Sequence, residues 1–156
     1  MSVWFKRTRT GTFRLKLGRE EREALRWLCG QMRELLAGDV DEGDPAVARL
    51  FPPAYGPDHE DKNAEYSRLM RDELLTGRLG ALEVVAESVD ASEVTEEQLV
   101  AWMGALNDIR LVLGTRLEVT EDMEEVPDDD PRAPMFGLYQ YLTWLQSDVI
   151  DALQEV

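Results

Sequence analysis

Two side chains in this sequence are chemically singular: one histidine, His59, and one cysteine, Cys29. His59 stands in "PDHEDKN", where Asp58, Glu60 and Asp61 would be its neighbours in a metal site. Di-metal centres in helical bundles draw a Glu-x-x-His pair from each of two helices, which one histidine cannot supply. Zinc normally takes three or four His or Cys ligands. The expectation at His59 is a solvated helix start, with no metal and no cofactor. Cys29 has no histidine beside it in sequence and falls near a helical apolar stripe, so it reads as a buried, inert thiol rather than a nucleophile. The sequence has no G-x-S-x-G, no phosphate loop and no G-x-G-x-x-G. Carboxylate pairs are plentiful, but acids on helix surfaces are ordinarily a solvated face. No catalytic residue is assigned.

Charge narrows the partners. Against 32 acidic residues stand 17 basic ones, for a net charge of −15. A nucleic-acid binder needs a basic footprint to displace counterions, so specific binding to nucleic acid is not expected. No apolar run approaches the ~20 residues that span a bilayer, and "MSVWFKRTRTGTF" has no apolar signal core. The expectation is a cytoplasmic protein, a single unpaired cysteine suiting a reducing compartment. The cations are nevertheless gathered: Lys6, Arg7, Arg9, Arg14 and Lys16 lie in the first 17 residues, without an acid among them. The plain reading is a solvated hairpin face. The sharper one is a small contact surface, for an acidic partner or for the chain's own acidic segments.

These residues need elements to hold them, and the patterning supplies a single domain over 1–156. Residues 3–17 alternate, with Phe13, Leu15 and Leu17 on one side and Arg14 and Lys16 on the other, and "RTGT" supplies a turn. A lone hairpin is marginal in water, so its apolar face must rest on helices. The first helix is expected over 19–37, from Leu25, Leu28, Met32, Leu35 and Leu36 at helical spacing with Gly38 as the stop. Asp44 before Pro45 signals a short capped helix that Pro52 and Pro53 end. A long helix is expected over 58–89, interrupted by Gly77 and Gly80 at a kink or a close helix approach. Thr95 with Gln98 makes a capping box that opens a helix over 96–113, which Gly114 is expected to end. Residues 118–132, "EVTEDMEEVPDDDPR", read as an acidic loop. A last helix over 135–156 carries a seam of Met135, Leu138, Leu142, Leu145, Val149, Ala152 and Val156. The fold class is mainly α: a four-helix bundle with a small N-terminal β-hairpin.

Some residues do not fit the stripes of their helices. Arg110 falls near the middle of the 96–113 apolar arc, while Asp108 points the opposite way. A buried guanidinium must find a carboxylate or snorkel, and Glu21 and Glu73 occupy comparable positions on other helices. A structural salt bridge of Arg110 with one of them is expected, ahead of an arginine lining an anion pocket. On the last helix, Tyr139, Tyr141 and Trp144 lie off the seam. Tyr141 is expected to pack on the hairpin's aromatics and Trp144 to serve as a partner or homodimer surface.

The segments "DPAVARLFPPAY", "EYSRLMRDEL" and "LVAWMGALNDIRLVLGTRLEV" together resemble an actinobacterial family known as a domain of unknown function. Its members are small proteins frequently encoded beside the Clp adaptor ClpS. The resemblance runs from about Phe13 to Leu153, with Asn107, Asp108, Arg110, Gly114 and Arg116 its most specific part. It implies no catalytic residue, and by association it implies a link to regulated proteolysis. The reading of function is therefore a non-enzymatic protein-interaction or regulatory protein with a protein partner, Clp-related if the association holds. The alternatives are a transcriptional regulator acting through protein contacts and a small enzyme using carboxylates only.

Overall fold

The computed structural model describes residues 3–37, 44–51, 60–119 and 127–155. His59 and residues 120–126 of the acidic run lie outside them. In chain order the elements are β1 (Phe5–Arg7), β2 (Phe13–Leu15), α1 (Arg19–Ala37), α2 (Pro45–Ala48), α3 (Glu60–Ser88), β3 (Glu93–Val94), α4 (Glu96–Arg116) and α5 (Ala133–Gln154). The protein is mainly helical with a small N-terminal antiparallel strand pair, the class its patterning implies.

Local chemistry explains most boundaries. Asp44 caps α2, its Oδ1 accepting from the Ala46 N–H at 2.9 Å. At α4 the capping box is reciprocal: Thr95 Oγ1 accepts from the Gln98 N–H at 3.1 Å, and Gln98 Oε1 accepts from the Thr95 N–H at 2.8 Å. Gly114 does not end α4, which runs on to Arg116. The chain turns at Glu118, a non-glycine residue with φ 56°. Gly114 serves the packing instead. A Cβ there would lie 2.9 Å from Tyr139 Cε2, so only glycine admits the α5 tyrosine this closely. At Gly77 and Gly80 a Cβ would meet nothing within 4 Å among the described residues, so neither glycine serves a close helix approach there.

The hairpin is part of a three-stranded sheet in the order β1-β2-β3, because the α3–α4 connection adds Glu93 and Val94 to its edge. A two-residue strand has no periodicity to announce it. The inward face of the sheet, with Phe5, Phe13, Leu15 and Val94 buried, closes one end of the helical core. Phe5 meets Trp102 of α4 edge-to-face, centroids 5.6 Å apart, and the Trp102 indole donates to Ser88 Oγ at 2.8 Å.

Helix α4 is the centre of the bundle. It packs between α3 and α5 and also meets α1 and α2. Neighbours on several sides explain why Asp108 and Arg110, on opposite faces, are both drawn inside. Asp108 points away from the stripe as expected, yet it is 3% exposed and pairs with Arg78 of α3. Arg110, half-buried toward α5, donates to Gln146 Oε1 and lies 5.8 Å from the Tyr139 ring centroid. Gln146 in turn donates to Asn107 Oδ1 at 3.2 Å. The expected bridge from Arg110 to Glu21 or Glu73 is not made. Glu73 is exposed on α3, and Glu21 serves other donors. Arg110 faces α5, and the polar partner waiting there is a neutral amide.

Candidate interaction surface

The hairpin register sorts its side chains. Phe5 stands opposite Leu15, Lys6 opposite Arg14 and Arg7 opposite Phe13. Alternation then sends Phe13, Leu15 and Leu17 inward to burial and leaves Lys6, Arg14 and Lys16 exposed on the outward face. The turn is closed by Thr8 N–H donating to the Thr12 carbonyl at 2.8 Å. Gly11 takes φ 87° there, which other residues resist, and Arg9 projects exposed beside it. Arg7 departs from the group: it is half-buried, with its guanidinium 4.8 Å from the Phe13 ring centroid.

Among the described residues, Arg19, Arg26, Arg78, Arg116 and Arg132 have ion-pair partners, and Lys6, Arg9, Arg14 and Lys16 have none. Glu93 stands opposite Arg14 in β3, yet its carboxylate accepts from Thr12 Oγ1 at 3.2 Å.

Helix α5 holds the sheet in place through one carboxylate. Asp148, 5% exposed, accepts from the backbone N–H groups of Val3 at 2.6 Å, Trp4 at 3.0 Å and Phe5 at 3.0 Å. Trp4 meets the Tyr141 ring edge-on at 5.8 Å. The Tyr141 hydroxyl donates to Glu21 Oε1 at 3.0 Å, while Glu21 Oε2 accepts from the Gly18 N–H at 2.7 Å. Glu21 thus ties the start of α1 to α5. Burial, and then the Glu21 carboxylate, hold the Tyr141 phenol above its ordinary pKa. Trp144 sits one turn before Asp148 on the same helical face and is 58% exposed, and Val3 is 66% exposed. Tyr141 packs within the chain as expected, and Trp144 is exposed, as its expected role in a contact surface requires.

Several other charged groups pair within the chain. A surface groove is lined by Arg19, Arg22, Glu23, Arg26 and Asp90. Arg22 is consumed by the carbonyls of Leu15, Leu17, Val89 and Ala91. Arg26 pairs with Asp90, and Arg19 pairs with Glu23 at 3.2 Å. Cys29 is fully buried, and burial pushes its thiol from 9.0 up to about 11. Among the described residues no three His, Cys, Asp or Glu side chains gather as metal ligands would, and no helix is long and apolar enough to cross a membrane. Sequence reasoning found the cations and Trp144. It missed Asp148, which looks like an ordinary surface acid until β1 is laid against it.

Comparison with known proteins places relatives around this arrangement. Residues 2–153 match the family described as Domain of unknown function (DUF2017). A protein of Mycobacterium leprae is 35% identical over 127 residues, covering 70% of this chain and 58% of the relative. The oxidative stress regulator AosR of Mycobacterium tuberculosis is 34% identical over 125 residues, covering 69% of this chain and 57% of the relative. The oxidative stress regulator AosR of Mycobacterium bovis matches to the same extent. The chain therefore spans a little over half the length of these curated relatives. No solved structure matches it.

Proposed function

The chain belongs to the DUF2017 family, and from that premise we propose that it is a non-enzymatic regulator in the response to oxidative stress, acting by binding another protein. The oxidative-stress element comes from the names of the relatives. The observation that carries protein contact is the outward hairpin face. Four exposed cations without an ion-pair partner among the described residues lie on that face of a chain of net charge −15, and α5, which holds the strand edge through Asp148, carries the exposed Trp144. A regulator that works by contact needs such a surface and needs no catalytic cluster. A transcriptional role exerted through protein contacts is one form of this reading. Direct reading of DNA is not, because the rest of the surface repels a polyanion.

The test is affinity capture with the tagged full chain from its native host, with and without peroxide. The expected result is a protein that co-elutes with wild type and is lost with Trp144→Ser and with Lys6→Glu/Lys16→Glu. A Clp adaptor among the eluted proteins would support the link to proteolysis. Recovery of the same proteins with wild type and both variants would remove this surface from the function. An unchanged peroxide response in a deletion strain would remove the regulatory role.

A further inference from the structure

We infer that the occupant of the hairpin face is an acidic segment of a partner protein that also carries an apolar anchor residue. The inference rests on the protein-contact reading above and adds the chemistry of the partner.

Charge complementarity is the first argument. Lys6 and Arg14 stand directly opposite each other across the strand pair, an arrangement that destabilises a hairpin. A chain with 32 acidic residues has ample means to neutralise them, as it does Arg19, Arg26, Arg78, Arg116 and Arg132. Glu93 faces Arg14 from β3, but its carboxylate is bonded to Thr12 and no acid among the described residues forms an ion pair with Lys6 or Lys16, so the remaining compensation is left to come from outside. Carboxylates arriving over this face would turn the repulsion into attraction.

The backbone defines how the segment docks. An exposed strand edge invites a partner strand, but the N–H groups of Val3, Trp4 and Phe5 are taken by Asp148. At the other edge, β3 is only two residues long. The partner therefore lies across the outward side chains instead of extending the sheet. At the α5 margin it meets Trp144 and Val3, both more than half exposed, with Trp4 half-buried behind them. Tryptophan is among the residues most enriched where binding energy concentrates, so Trp144 is the seat for an anchor residue.

A polynucleotide fits less well. Four cations would release only about four counterions, against the field of a chain at −15. A protein segment matches the small charged area and also supplies the apolar group.

The experiment measures binding of labelled probes to the full chain by fluorescence anisotropy, at low and at physiological salt. The probes are a short Asp/Glu peptide with a central leucine, its all-lysine counterpart and an oligothymidylate of the same charge. The acidic peptide should bind, weaken with salt, and bind about tenfold more weakly to Lys6→Glu/Lys16→Glu as exposed attractions become repulsions. Trp144→Ser should weaken it while leaving the salt dependence intact. The unfolding midpoint of Lys6→Glu should rise, which shows that loss of binding is not loss of fold. Equal or tighter binding of the lysine peptide or the oligothymidylate overturns the inference. So does undiminished binding of the acidic peptide to the double variant. In the host, a peroxide defect of the deletion strain restored equally by wild type and double variant would end the inference and leave the regulator reading standing. A deletion strain without a defect would end the regulator reading, with the peptide measurements still deciding the partner chemistry.

Discussion

Lys6 and Arg14 oppose each other in the β1–β2 register, two like charges held face to face on the outside of a three-stranded sheet. Cross-strand pairs contribute about 0.2–1 kcal/mol, with opposite charges favourable and like charges unfavourable. Lys6→Glu should therefore stabilise the chain by roughly 0.5–1 kcal/mol, read as a higher denaturant midpoint with an unchanged slope. The gain should shrink in high salt, because the pair is exposed. A neutral or negative change would mean that the opposition carries no stability cost.

A second contrast separates two arginines that look alike in sequence. Arg78 is paired with the buried Asp108, which burial pushes above its ordinary pKa against the pull of Arg78. Arg78→Ala would leave that carboxylate without its cation and should cost about 3–5 kcal/mol. Arg110 is held by a neutral amide and a ring. Arg110→Ala orphans no charge and should cost only about 1–2 kcal/mol. Chemical denaturation of the two variants side by side decides it, and equal losses would contradict the assignment of partners.

The same contrast shows how far the sequence could be read. Helix positions, the capping box and the inward alternation of Phe13, Leu15 and Leu17 follow from local periodicity, and the structure has them. The partner of Arg110 does not follow. A helical wheel gives a residue's direction but not which neighbour lies there, and α4 has neighbours on several sides. Asp108 points away from the apolar stripe, and a wheel with one stripe does not show that α3 brings Arg78 to that side. Asp148 and β3 were illegible for a related reason, since their roles exist only once segments about 145 and 80 residues apart are laid together. The outward cations and Trp144 were legible because an unpaired surface depends on no partner within the chain.

Asp148 is the anchor of the sheet and gives a third prediction. Its two oxygens accept from three successive backbone N–H groups. Asp148→Ala would leave those donors without partners, and each buried unsatisfied donor costs about 1–3 kcal/mol. A loss of at least roughly 3 kcal/mol is expected, with faster amide exchange in residues 5–7 and 13–15. Asp148→Asn keeps one acceptor oxygen and should fall between. Full stability and unchanged exchange in the alanine variant would show that the sheet is held by its apolar face alone.

Gly114 gives a fourth, in which two effects oppose. Alanine in a helix interior is favoured over glycine by about 1 kcal/mol, but its Cβ would stand 2.9 Å from Tyr139 Cε2. Overpacking of this kind costs about 1–3 kcal/mol, so Gly114→Ala should be neutral to destabilising. In a Tyr139→Ala background the obstruction is gone, and the same change should then stabilise by about 1 kcal/mol. The reversal of sign in the double-mutant cycle is the test, and additive effects would show that the ring gives way freely.

Cys29 bears on the proposed role in oxidative stress. The thiolate is the form that oxidants attack, and here burial holds the thiol protonated, with a pKa of about 11 against an ordinary 9.0. The sign of the linkage follows. The folded state holds its proton more tightly than the unfolded state, so this contribution to stability is fully present below pH 9. It is lost as pH rises through about 11, and a shift of this size corresponds to roughly 2–3 kcal/mol. Wild type should therefore lose stability more steeply than Cys29→Ala across that alkaline range, the alanine variant subtracting the titration of tyrosines and lysines. At neutral pH the native thiol should react with a disulfide reagent on the order of a thousandfold more slowly than free cysteine, because it is exposed only by unfolding. Any oxidant sensing would then lie in the partner or in the response, and Cys29→Ala should leave the host's peroxide tolerance unchanged. Rapid labelling of Cys29 in the folded chain, or a peroxide-sensitive Cys29→Ala strain, would return the sensing role to this residue.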